Sequence, residues 1–288
     1  DADRCPITPE DLDGFEDGRI WDFTDRGEGL RNTTSLLGRR GTGHGRVHWS
    51  GNFDEIQDFE HDMRGPFGGT GFLSQESFEE GSRSTTLGDT KAGKSAELDA
   101  LAAYVTSLDR VHASPHRDDD GSLTDAGWRG RALFESAGCA ACHGGPDFTD
   151  SIDGRLHDVG TLRPTSGKRL GEVLSGIDTP TLRGIWETAP YLHDGSAATL
   201  LDVIARNSRD QHGTTSGLSE GERDDLVAYL MQIDNVALED EVEPEREPDV
   251  TPSGCSWRES RARSSAPLSF LLALVLAIAG RARRRRFE

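Results

Sequence analysis

Five consecutive residues, Cys139-Ala140-Ala141-Cys142-His143, restrict this 288-residue chain more than any other feature. On a helical turn, residues three and four apart share a face. Two thiols can therefore reach one flat ligand while the imidazole beside the second points at its centre. That arrangement serves two thioether links to haem with a nitrogen ligand on iron, and C-x-x-C-H is the spacing of c-type haem attachment. A redox dithiol belongs in a thioredoxin-like βαβ context, which the flanking residues lack. A structural zinc site needs a second ligand pair, and no second C-x-x-C occurs. One covalent haem c per chain is the expectation.

Charge excludes one class of partner and favours another. A formal charge of −19 is incompatible with the basic face that nucleic acid requires. It suits an exported protein with an acidic exterior, able to receive a basic redox partner protein. No charged n-region and apolar h-region follow Asp1, so either a leader has been removed or the chain is a fragment. The far end reads differently. An acidic, proline-broken linker (237–265) precedes an uncharged apolar run (266–280) and an arginine-rich tail (281–288). That run is short against the ~20 residues of an ordinary span. With the arginines cytoplasmic, it is expected to anchor the exported part in the membrane, at the periplasmic or cell-surface side.

The chain contains a degenerate repeat. NTTSLLG (32–38) echoes DTPTLRG (178–184), and HWSGNFDEIQDF (48–59) echoes HDGSAATLLDVI (193–204), with Trp49 on His193 and Gly51 on Gly195. KSAELDALAAYVTSLD (94–109) echoes SEGERDDLVAYLMQID (219–234) in the same order. We read an all-α chain of two cytochrome c-like helical units with long loops, 1–112 and 122–236. Ser219 with Glu222 forms a capping box ahead of Leu226, Val227, Leu230 and Ile233 on one face. Ser95 caps the equivalent helix, with Leu98, Leu101, Val105 and Leu108 inward, and Thr124 starts a third carrying Trp128, Ala132 and Leu133.

GRALFESAGCAACHGGPDFTD, LHDVGT (156–161) and TPTLRGIWETAPYLHDGSAATLLDVI (179–204) together resemble the C-terminal haem domain of bacterial dihaem cytochrome c peroxidases and MauG-like oxidases. The likeness spans most of 122–236, and the first unit resembles the family's N-terminal domain. It implies haem binding at Cys139, Cys142 and His143, with His193 near the haem and His157 hydrogen-bonded within its loop. Trp49 falls where the family places a tryptophan between its two haems, which implies an electron relay. Arg183 is a candidate partner for a haem propionate. Residues 1–122 carry no C-x-x-C-H, only Cys5, so the family's peroxide-reducing haem is lost or encoded upstream. Gly254-Cys255 and the segment after it resemble a MYXO-CTERM tail, in which Cys255 marks the site of processing and anchoring.

One histidine leaves the other face of the iron open. The family supplies methionine or tyrosine after the H-D-G motif, but this chain has only Met63 and Met231, and Met231 reads as helix filling. In ARNSRDQHGTTSG (205–217), Asn207 is a poor iron ligand and His212, before Gly213, is a good one. We therefore expect His143 and His212 on the metal and an electron-transfer role. A peroxidase or oxidase working at an open haem is the alternative, and a non-catalytic surface scaffold is a third.

Overall fold

The computed structural model describes residues 20–22, 29–65 and 67–235, all within one compact unit, Asp1–Glu243. Cys5, Cys255, the linker, the apolar run at 266–280 and the basic tail lie outside the described residues. Among those described, no helix is long and apolar enough to cross a membrane. Regular structure is mostly helical: α1 (Glu60–Arg64), α2 (Gln75–Glu79), α3 (Ala96–Ser107), α4 (Asp125–Ser136), α5 (Leu200–Ala205) and α6 (Glu220–Leu230). Two ribbons are minor additions, β1 (Ile20–Asp22) with β2 (Leu30–Asn32), and β3 (Lys168–Arg169) with β4 (Glu172–Val173), both antiparallel.

Side-chain oxygens start the long helices where the sequence places them. The hydroxyls of Ser95, Thr124 and Ser219 accept from the backbone N–H three residues on, and Glu222 completes the box on α6. The packing of α4 departs from expectation. Its buried positions are Gly127, Trp128, Gly130 and Phe134, while Ala132 is exposed. The cause is the crossing with α6: a Cβ on Gly130 would meet the Asp225 carbonyl and one on Gly127 the Gln232 amide. Glycines here are the contact surface, a role that counting apolar side chains misses. Leu123, Trp128, Phe134, Leu226, Tyr229 and Ile233 close the core around the crossing.

The repeat is visible in the backbone. Val47 and Phe53 form an isolated bridge, as do Tyr191 and Ala197, and each encloses a tight turn. Within the turns His48 and Leu192 share a left-handed conformation (φ 70° and 73°), as do Gly51 and Gly195 (φ 54° and 67°). Trp49 and His193 thus occupy equivalent places. The halves also exchange equivalent bonds: Asn32 N–H donates to the His193 carbonyl and Asp178 N–H to the Trp49 carbonyl, both at 2.7 Å.

The first half has a polar centre of its own. Lys91 Nζ lies 2.6 Å from Asp58 Oδ1, with the two side chains 0% and 1% exposed. Glu60, equally buried, accepts the N–H groups of Phe72 and Leu73 and the Arg64 guanidinium. Removing one member of a buried pair strands the other charge, at a cost of about 3–5 kcal/mol. Lys91→Met should therefore lower the free energy of denaturant unfolding by roughly that amount. Arg129→Ala, which breaks the more exposed pair with Asp225, should change it little.

Candidate functional site

The attachment segment is shaped by the end of α4. Gly138 takes a left-handed conformation (φ 78°), a 3-10 turn carries Cys139–Ala141, and His143 N–H returns to the Cys139 carbonyl at 2.9 Å. This one turn sets Cys139, Cys142 and His143 on the wall of a cavity of about 440 Å3. Leu156, Ile177, Leu182, Leu200, Ile204 and Leu226 make much of the remaining lining apolar.

His212 stands on the opposite wall. Its ring centroid is 6.1 Å from that of His143, and the ring planes are inclined at 45°. Two metal–imidazole bonds of about 2.0–2.1 Å, with the half-width of each ring added, span roughly 6 Å. The gap therefore has the size that one metal ion with two imidazole ligands fills, and the flanking apolar cavity has the character of a haem pocket.

Asn207 fixes the loop that presents His212. Its side-chain amide donates to the carbonyls of His212 and Gly213 and to the Thr215 hydroxyl, at 2.7–2.9 Å, and its carbonyl accepts from His212 N–H at 2.9 Å. Gly213 (φ 73°) lets the loop lie against α4: a Cβ there would come within 3.1 Å of the Ala137 carbonyl and 3.4 Å of Cys139 Sγ.

Electrostatics favour neutral ligands. Burial, with charge on His212 second, pushes the His143 imidazole down to about 4. Its Nδ1 sits 3.3 Å from the Phe148 carbonyl; donating there, it leaves the Nε2 lone pair for a metal. Burial also lowers His212. The two thiols are not joined, and burial raises Cys139 to about 11 and Cys142 in the same direction. A redox dithiol depends on the opposite shift, toward thiolate. Cys142, Asp150 and His157 bring three donor atoms within 4.8 Å of one another, one short of a structural zinc site. His157 is bound within its loop by Asp150 Oδ2 at 2.8 Å.

Other residues singled out from the sequence are placed as follows. Trp49 lines the cavity and its Nε1 donates to the Asn32 carbonyl at 2.7 Å. His193 is fully buried behind the wall, 2.9 Å from the Ser166 hydroxyl and 3.4 Å from that of Thr161. It does not line the cavity. Arg183 does, but its guanidinium is engaged by Asn235 Oδ1 (2.6 Å), Asp147 Oδ1 (3.3 Å) and the Asp234 carbonyl. Neither Met63 nor Met231 lines it. Two further histidines, His44 and His48, lie four residues apart and face different carboxylates, Asp147 and Asp62. Sequence reasoning passed over Asn207 as a weak ligand and missed its role in positioning the loop. It also missed Arg39, buried on the cavity wall.

Comparison with known proteins finds relatives among haem proteins of the cytochrome c kind. The model of a RoxA-like, cytochrome c-like family matches residues 176–212, which include His193 and His212. Hydrazine synthase subunit gamma of Kuenenia stuttgartiensis is 38% identical over 169 residues, 46% of this chain and 48% of that one. MauG of Methylophilus methylotrophus (53% of this chain, 50% of that one) and the cytochrome-c peroxidase IdrP2 of Pseudomonas sp. strain SCT (53% of each) are both 28% identical. Over these stretches the chain is similar to hydrazine synthase subunit gamma, MauG and a cytochrome c peroxidase. A solved structure of Kuenenia stuttgartiensis hydrazine synthase superposes with a TM-score of 0.55 at 29% identity, over 75% of this chain and 77% of that one. The mostly helical fold is similar to that of a chain of this hydrazine synthase, and the relatives indicate a c-type haem. The chain spans about half the length of the curated relatives it matches.

Asn207→Ala removes a buried group that satisfies four loop partners, at a cost of roughly 1–3 kcal/mol for polar groups left unpaired. Hydrogen exchange should quicken at the amides of 208–216 and stay slow along α6.

Proposed function

We propose that the chain is an exported c-type cytochrome that binds one haem through Cys139 and Cys142, with His143 and His212 on opposite faces of the iron, and transfers electrons. The 6.1 Å between the two facing imidazoles carries this reading. Bound there, the haem would supply a one-electron couple, at a potential lower than with a methionine ligand, because the thioether raises it. Donation from Nδ1 to the Phe148 carbonyl would hold His143 in the ligating tautomer. His212 is held in place by Asn207, and the apolar walls exclude water. Trp49 lies on the wall contributed by the first half and offers an aromatic path toward a partner docked there. The apolar run at 266–280 and Cys255 fit membrane or cell-surface anchoring, with the described part outside the cytoplasm.

A peroxidase-like activity is the second reading. It requires His212 to leave the metal. The observation in its favour is a second cavity of about 550 Å3 that also reaches His212 and is lined by Arg163, Arg206 and Arg209.

Haem-loaded wild type should show a low-spin reduced spectrum that ignores carbon monoxide and peroxide. His212→Ala should turn high-spin and bind carbon monoxide, and added imidazole should restore the low-spin form. A His212→Ala spectrum identical to wild type would remove His212 from the metal. Carbon monoxide binding or peroxide turnover by wild type would favour the second reading.

A further inference from the structure

Arg39 is a buried cation that the haem-binding residues described above leave unexplained. Its side chain belongs to a residue only 7% exposed, on the cavity wall supplied by the first half. Nη2 reaches the Arg46 carbonyl at a long 3.4 Å, and Nε is buried with no partner. Asp178 is close enough to be felt electrostatically, but its Oδ2 takes the Ser151 hydroxyl at 2.8 Å and it makes no contact ion pair with Arg39. Burial draws the Arg39 guanidinium below its ordinary range, and Asp178 offsets only part of that.

A guanidinium cannot shed its charge in a protein. Buried without a contacting anion, it is costly, and the compensating anion must come from the cavity. Haem has an apolar macrocycle and two carboxylates on one edge. The cavity offers both kinds of surface: most of its leucines and isoleucines come from the second half, and Thr34, Ser35 and Arg39 stand beside Leu37 and Trp49 among the residues from the first. Arg183, the candidate read from the sequence, already holds Asp147 and Asn235. Arg39 still has an unbonded donor.

We propose that Arg39 binds a propionate carboxylate of the haem, so that the half without an attachment motif supplies the counter-charge for the haem attached to the other half. The inference rests on the haem reading above.

The test is redox titration and resonance Raman spectroscopy of the full-length haem-loaded protein. In Arg39→Gln the midpoint potential should shift negative, because a positive charge near the haem disfavours the ferric state. The propionate-bending band should move while the low-spin α-band stays. Arg39→Lys should recover the potential but not the band, since an ammonium lacks the two-pronged fork. A wild-type potential and an unmoved band in Arg39→Gln would overturn the assignment. Should Arg39→Gln not accumulate with haem, an unmoved band in Arg39→Lys would overturn it equally. Absence of covalent haem from the wild type is a separate outcome and defeats the haem reading itself.

Discussion

Two reciprocal backbone bonds, Asn32 to the His193 carbonyl and Asp178 to the Trp49 carbonyl, hold the related halves in register, both at 2.7 Å. The cavity depends on them. Residues between 32 and 39 and Trp49 line it from the first half, and the attachment turn, residues 156–159 and 177–192, α5, α6 and the 205–217 loop line it from the second. Neither half encloses the site alone. Full burial of His193 serves this joint: its imidazole is fixed by the hydroxyls of Ser166 and Thr161 while its carbonyl receives Asn32. The H-D-G motif thus acts here through its backbone and its turn rather than through a ring directed into the cavity.

Local chemistry was legible in the sequence. The three caps, the single turn joining Cys139 to His143, and the pairing of Trp49 with His193 all follow from interactions within a few residues or from a repeat register. His212 was readable as a capable donor in its loop, and the structure sets its ring centroid 6.1 Å from that of His143. Features set by distant partners were not legible. Arg39 lies far along the chain from the attachment turn, and nothing in SLLGRRG distinguishes it from Arg40, which reaches Asp147 at 2.8 Å with a half-exposed side chain. Asn207 resembled a failed ligand because all but one of the partners described above are backbone groups, which carry no sequence signal. Gly127 and Gly130 act through the absence of a side chain.

The two halves solve the problem of a buried centre differently. In the second, apolar walls surround paired imidazoles and unpaired thiols, a set of groups suited to a cofactor. In the first, Lys91 and Asp58 neutralise each other and Glu60 is satisfied by backbone and Arg64. That centre is complete from its own side chains. The first half can therefore stand as a preformed wall, which agrees with its contributing Arg39 and Trp49 to a site it does not anchor covalently.

The loop bearing His212 lies directly on the attachment turn. Thr214 N–H donates to the Ala137 carbonyl at 2.8 Å, and a methyl group on Gly213 would crowd that carbonyl and touch Cys139 Sγ. The loop and the attachment turn therefore share one set of contacts at Ala137 and Cys139. Whatever changes the position of Cys139 Sγ is felt at once by the backbone that carries His212.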